Sequence, residues 1–194
     1  LQEESSWKGE LWSSRKNGTN YPEMVSIKAI RNKQGEISNY FSMSNDITER
    51  KKWEEQLYHM AHYDSLTDLP NRTLFKDRLK QEIIRSQRNK KHFGVLFLDL
   101  DLFKSINDSL GHAAGDELLK VIGNRLKSTL RNADSIARLG GDEFTIMVTD
   151  LAADYEKNIN YLTQLSDKII EVIKKPIELG SREINATASL GVTI

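Results

Sequence analysis

The chain has 194 residues, 38% of them hydrophobic, enough to bury one full domain with a smaller attached piece. Lysine plus arginine equals aspartate plus glutamate at 28 each, so no net field draws in a nucleic-acid backbone or an anionic membrane, and neither DNA nor RNA is expected as a partner. The absence of cysteine excludes disulfides, thiolate zinc sites and cysteine nucleophiles and suits a reducing cytoplasm. No apolar run approaches the roughly 20 residues of a membrane span, and the first residues lack a signal-peptide pattern. A cytoplasmic location is expected, with membrane anchoring of a longer parent left open.

From about residue 7 to 47, short runs alternate polar and apolar, notably 21–30 and 37–43, with Asn17-Gly18 and Gln34-Gly35 as turns. A small antiparallel sheet is expected. A charged stretch follows in which Trp53, Leu57 and Met60 recur at i, i+4, i+7, and Asp46 with Glu49 suggests a capping box. This predicts one helix over 48–63, either packed on its own domain or paired in a dimeric coiled coil. From Asp64 onward helices and strands alternate. Helix signals lie at 73–89, 115–131 and 154–174, and strand signals at 93–99, 135–139, 144–149 and 186–194. The expected class is α/β (α+β), built on one sheet. The sequence stops inside an apolar strand, so the expected domain is cut short at its C-terminus.

Three constellations carry chemistry. The run Val95-Leu96-Phe97-Leu98-Asp99-Leu100-Asp101 reads as a central strand ending in two carboxylates on one face. Ligands of α/β sheets gather at such ends, and hard cations take carboxylates together with substrate phosphates; the other reading is a helix cap. Next, Gly140-Gly141-Asp142-Glu143 joins two apolar strands as a tight hairpin. Its two acids suit either a bound cation or a solvated turn. Last, Lys104, Asn107, Gly111-His112 and Gly115-Asp116 follow the first strand. Asn and Asp together offer donors and acceptors for a purine edge, although turn and cap roles explain them equally. No Gly-x-x-x-x-Gly-Lys loop is present, which sets aside a P-loop NTPase.

In this order and spacing the constellations, with Asp64-Ser65-Leu66-Thr67-Asp68-Leu69-Pro70-Asn71-Arg72 ahead of them, resemble the GGDEF family of diguanylate cyclases. The resemblance covers about residues 64–194. It implies a sheet flanked by helices, similar to the palm of nucleotidyl cyclases and polymerases. It also implies condensation of two GTP into cyclic di-GMP with release of two pyrophosphates, which requires a homodimer with one GTP per copy. Carried over by position, Asp99, the carbonyl of Leu100 and Asp142 would hold Mg²⁺ (or Mn²⁺), with Glu143 beside them, and Asp142 or Glu143 would accept the proton. Asn107 and Asp116 would recognise guanine with His112 in the same loop. Lys104, the amides around Phe103, and Gly140-Gly141 would lie near the phosphates. Arg131-Asn132-Ala133-Asp134 matches the RxxD pattern of the family's product-inhibition site, where Arg131 and Asp134, assisted by Arg138, would bind cyclic di-GMP. The family's last helix, with a Lys and an Arg for the triphosphate, would fall beyond Ile194. The alternative is a regulatory module that binds GTP or cyclic di-GMP and controls a fused phosphodiesterase domain.

The front segment resembles the C-terminal half of a PAS sensor domain in Trp7-Lys8-Gly9-Glu10, Arg15-Lys16-Asn17-Gly18 and Asp46-Ile47-Thr48-Glu49-Arg50-Lys51. The implied organisation is partial PAS strands at 1–47, a signalling helix at 48–63, and a truncated GGDEF domain at 64–194.

Overall fold

Alternation at the front of the chain becomes three antiparallel strands, β1 (Ser6–Ser14), β2 (Asn20–Arg31) and β3 (Ile37–Asp46), in the order β1-β2-β3. The computed structural model describes residues 6–180 and 182–194, so positions 1–5 of the expected front domain lie outside the described residues. The chain divides into two units, Leu1–His59 and Met60–Ile194. Both front turns are closed by asparagine side chains: Asn17 Oδ1 accepts from the Thr19 amide (3.1 Å), and Asn32 Oδ1 from the amides of Gln34 (2.9 Å) and Glu36 (3.0 Å). Val25 and Ala29 are buried, whereas Trp12, Phe41 and Met43 are exposed.

Helix α1 (Thr48–His62) has no buried residue, and Trp53, Leu57 and Met60 along it are exposed. The capping box does not form. Because β3 runs to Asp46 itself, that carboxylate reaches only Thr48, taking its amide (2.9 Å) and hydroxyl (2.6 Å), and it also pairs with Arg15. The Thr48 hydroxyl, then its amide, then Arg15 hold the Asp46 carboxyl down at about 2.

In the second unit, α2 (Arg72–Asn89) begins at Asn71, whose side chain accepts from the amides of Thr73 and Leu74. There follow β4 (His92–Leu100), α3 (Phe103–Leu110), α4 (His112–Thr129), β5 (Ser135–Gly140), β6 (Glu143–Leu151) and α5 (Tyr155–Lys174). The described elements close with β7 (Ile177–Leu179), β8 (Arg182–Ile184) and β9 (Ala188–Thr193). Four strands form one antiparallel sheet in the order β5-β6-β4-β9, and β7 pairs with β8. Helix α3 and the β7–β8 pair have no counterpart among the sequence-predicted elements. The strands are three residues long, too short for alternation to register, and the Asn-Asp pair in α3 resembles a turn.

The two faces of β4 differ. Leu96, Leu98 and Leu100 point into the main core with Leu118, Leu119 and Ile122 of α4 and Leu162, Ile169 and Ile173 of α5. Each such buried side chain contributes about 1.5–3 kcal/mol. On the opposite face Val95 packs with Phe75, Ala137 and Met147 beneath α2, but the cover stops there, leaving Phe97 52% exposed and Asp99 open at the strand end. Behind the core, Arg125 donates to the carbonyls of Val172 (3.2 Å), Lys175 (2.6 Å) and Pro176 (2.7 Å), satisfying the C-terminal end of α5.

Arg125→Ala is expected to lower the unfolding free energy by about 1–3 kcal/mol, the range for hydrogen bonds to a charged group. Urea titration followed by circular dichroism measures this, and a loss within about 0.5 kcal/mol, typical of a surface change, would refute the clamp. Asp46 gives a pH dependence. Its folded pKa lies below the ordinary 3.8, so its stabilisation is complete above that value and is lost as pH falls toward about 2. All three tryptophans, Trp7, Trp12 and Trp53, lie in the front unit, so acid titration of tryptophan emission should show this loss, and Asp46→Asn should flatten it.

Candidate active site

The acidic centre is set by strand register. Asp99 lies directly opposite Glu143 on β6 and Ser189 on β9, so the three side chains share one face. Asp142 occupies the turn before Glu143. Gly140 and Gly141 there have φ of +140° and +55°, values that residues with a Cβ rarely adopt, and a Cβ added at either would meet nothing within 4 Å, so the requirement is conformational. Burial, followed by the charges of Asp142, Glu143 and Asp101, pushes the Asp99 carboxyl above its ordinary value. The side chain of Leu100 is buried in the core, leaving its carbonyl as the group it can offer a ligand.

Asp99 and Asp101 are not equivalent, as their spacing suggested. Asp101 lies just past β4, where its amide donates to the Thr187 carbonyl (2.9 Å) and its carboxylate accepts from the Ser189 hydroxyl (2.8 Å). Hydrogen bonds from Thr187 and Ser189 hold its carboxyl below the ordinary value. Asp101 therefore ties β4 to β9, and Asp99 remains for a ligand.

The hairpin is braced from below. Arg138 donates through Nε (2.9 Å) and Nη2 (2.7 Å) to the Gly141 carbonyl and through Nη1 (2.8 Å) to Asp64. Asp64 also takes the amide (2.9 Å) and hydroxyl (2.7 Å) of Thr67. Burial pushes the Asp64 carboxyl up, but Thr67 and Arg138 outweigh it and hold it below the ordinary range. With a side chain only 10% exposed and three bonds made within the chain, Arg138 braces the turn; its expected assistance in binding cyclic di-GMP stays a proposal.

Beyond the acids, Arg72 at the start of α2 reaches the Leu139 carbonyl through Nε (3.4 Å) and Glu143 through Nη2 (3.6 Å). It lines an open cleft of about 580 Å³ with Phe97, Asp99, Glu143 and Ser189. Arg72, Asp64 and the bracing role of Arg138 were missed from sequence. Asp64 and Arg138 lie 74 residues apart, and no periodicity links them.

The third constellation occupies α3 and the first turns of α4. Helix α3 starts from Leu102, which has φ of +57° and no side-chain cap. Phe103 packs on the core, while Lys104, His112 and Asp116 are exposed, with no side-chain hydrogen bond or ion pair among the described residues. Gly115 is needed for close approach: a Cβ there would lie 1.9 Å from Asn107 Oδ1. That oxygen is buried and has no hydrogen-bond partner among the described residues. An orphaned acceptor of this kind costs about 1–3 kcal/mol, which a ligand N–H would offset.

Arg131 and Asp134 meet as a turn. The Asp134 carboxylate, 1% exposed, takes the Arg131 amide (3.2 Å) and Nε (3.4 Å) and the Thr149 amide (3.3 Å). The Arg131 guanidinium lies 4.8 Å from the centre of the Tyr161 ring and stays 57% exposed. Of the two, Arg131 faces outward and Asp134 holds it.

A family model described as "Diguanylate cyclase, GGDEF domain" matches residues 61–194. The cyclic di-GMP phosphodiesterase NbdA of Pseudomonas aeruginosa is 46% identical over 138 residues, which is 71% of this chain and 17% of NbdA. Diguanylate cyclase TpbB of the same organism is 39% identical over 155 residues, 76% of this chain and 34% of TpbB. The chain thus spans about a third or less of these relatives. A solved structure of the TpbB GGDEF domain superimposes with a TM-score of 0.62 at 40% identity, covering 68% of this chain and 74% of that one. By the extent of these matches, and with its Gly-Gly-Asp-Glu-Phe hairpin set against Asp99, the chain belongs to the GGDEF family of diguanylate cyclase domains.

Proposed function

We propose that this chain is the catalytic part of a diguanylate cyclase that condenses two GTP into cyclic di-GMP and two pyrophosphates. The observation that carries this is the placement of Asp99 directly opposite Glu143 and beside the Asp142 turn, where burial and then the neighbouring carboxylates raise the Asp99 carboxyl and favour a cation. Among the described residues no three His, Cys, Asp or Glu side chains gather to hold a metal by themselves. Two carboxylates and a carbonyl, completed by substrate phosphate and water, are nonetheless the donors that Mg²⁺ takes. Asp99, the Leu100 carbonyl and Asp142 would hold Mg²⁺ or Mn²⁺, with Glu143 beside them. When bound, such a cation would neutralise phosphate charge and acidify a nearby hydroxyl.

The chain's own groups would do the rest. Asn107 Oδ1, buried without a partner, suits a guanine N–H, and the Asp116 carboxylate would take another such donor, with His112 one helical turn before it. Lys104 and the amides around Phe103 would hold phosphate oxygens, and the bare backbone of Gly140-Gly141 lets phosphate approach. Asp142 or Glu143 would accept the 3′-hydroxyl proton as that oxygen attacks the α-phosphate of the other nucleotide and pyrophosphate leaves. Two copies must then face each other, and the Trp53, Leu57 and Met60 seam of α1 is the natural contact for a homodimer. Residues 1–47 are read as PAS strands and 48–63 as the helix that passes a signal to 64–194. Arg131, held outward by Asp134, would bind product and inhibit.

A second reading, a regulatory module for a fused phosphodiesterase domain, is favoured by one observation: NbdA, at 46% identity, is a phosphodiesterase by name.

The intact parent protein, supplied with GTP and Mg²⁺, should form cyclic di-GMP, and Asp142→Ala should cut the rate by about 10²-fold or more. A folded dimeric parent that binds cyclic di-GMP yet makes none would instead establish the regulatory reading. Arg131→Ala should raise the cyclic di-GMP concentration needed for half inhibition by about tenfold, the scale of a charge-assisted contact. Unaltered inhibition in progress curves would remove Arg131 from that role.

A further inference from the structure

The cleft beside the acids is a compartment of its own. Lys104, Asn107, His112 and Asp116 do not line it; it shares Asp99 and Glu143 with the acidic centre and adds Arg72, Phe97, Leu139 and Ser189. Its volume of about 580 Å³ lies in the range of small-molecule sites. Arg72 is its one cation among the described lining residues. The backbone of Arg72 is fixed, because Asn71 caps α2 and also donates through its amide nitrogen and Nδ2 to the carbonyls of His62 (2.9 Å) and Ala61 (2.9 Å). Its guanidinium is held loosely. Both of its contacts are long, at 3.4 Å to the Leu139 carbonyl and 3.6 Å to Glu143, and the Arg72 and Glu143 side chains are 56% and 54% exposed. An ion pair so exposed is worth little and exchanges readily.

We propose that Arg72 is a phosphate contact in this cleft, exchanging Glu143 for an oxygen of a nucleoside triphosphate and thereby releasing Glu143 toward the acidic centre. The planar fork of arginine suits a phosphate, and it enters where the neighbouring carboxylates would otherwise repel one. This rests on the cyclase reading for the identity of the nucleotide. In a reaction that joins two nucleotides, the residues of α3 and α4 hold one, and the cleft across Asp99 receives the phosphate of the other, carried by the facing copy.

The test is calorimetric titration of the 194-residue chain with an α,β-methylene analogue of GTP in the presence of a chelator, where nothing turns over. Glu143→Gln frees Arg72 and should tighten binding about tenfold; Arg72→Ala in the same background should abolish the gain, and Arg72→Lys should restore only part of it. A gain that survives without Arg72 reflects general loss of negative charge and overturns the proposal, as does binding that neither change alters. Thermal melts check each variant, and Arg72→Gln replaces Arg72→Ala if the latter does not fold. Cyclic di-GMP formation by the parent without Arg72-dependent binding would overturn the phosphate contact alone. Arg72-dependent binding without any product would support the contact and overturn the cyclase.

Discussion

Everything at the acidic centre depends on one guanidinium. Three carboxylates near a strand end repel one another, and burial together with that repulsion pushes Asp99 above its ordinary value. A two-glycine turn cannot oppose such a force, since glycine is chosen for freedom rather than stiffness. Arg138 supplies the stiffness by gripping the Gly141 carbonyl with two nitrogens and Asp64 with a third. Because Asp64 is itself fixed by Thr67, and the Arg138 amide donates to the Pro70 carbonyl (3.0 Å), the opening segment acts as a strut that fixes where the acids stand.

The sheet adds a second constraint, which is asymmetry. Leucines on one face of β4 are sealed between α4 and α5, so that face has no room for a ligand. The other face is covered only as far as α2 extends, and the exposed remainder begins at Phe97 and ends at Asp99. A site therefore forms where the cover stops, without any special cavity in the core. The close contact of Gly115 with Asn107 does similar work for α3 and α4, bringing a short helix close enough that the Asn107 Oδ1 is buried without a hydrogen-bond partner among the described residues.

Much of this was legible in the sequence because it rests on local pattern. The apolar run into Asp99, the glycine turn and the helix signal from residue 154 each appear within a few residues, and the strands and the start of α5 lie where the pattern put them. What escaped was either short or distant. Three-residue strands leave no period to detect, and α3 was hidden by residues that also favour turns. The distinction between Asp99 and Asp101 depends on Ser189, 88 residues away, and the capping box gave way to Asp46 accepting from Thr48 at the end of β3. Such features follow from tertiary contact, which composition and spacing do not encode.

The three arginines around the hairpin show how exposure separates roles within one residue type. Arg138, 10% exposed, spends N–H groups of all three nitrogens on the Gly141 carbonyl and the Asp64 carboxylate and braces the turn. Arg131 and Arg72, at 57% and 56%, are each anchored at one edge and open at the other: Arg131 by Asp134 and the Tyr161 ring, Arg72 by the Leu139 carbonyl. A guanidinium engaged at one edge keeps N–H groups at the other for a phosphate. Charge alone would assign all three to anion binding. Counting which N–H groups are already used separates Arg138, engaged within the chain, from Arg131 and Arg72, the two proposed as ligand contacts.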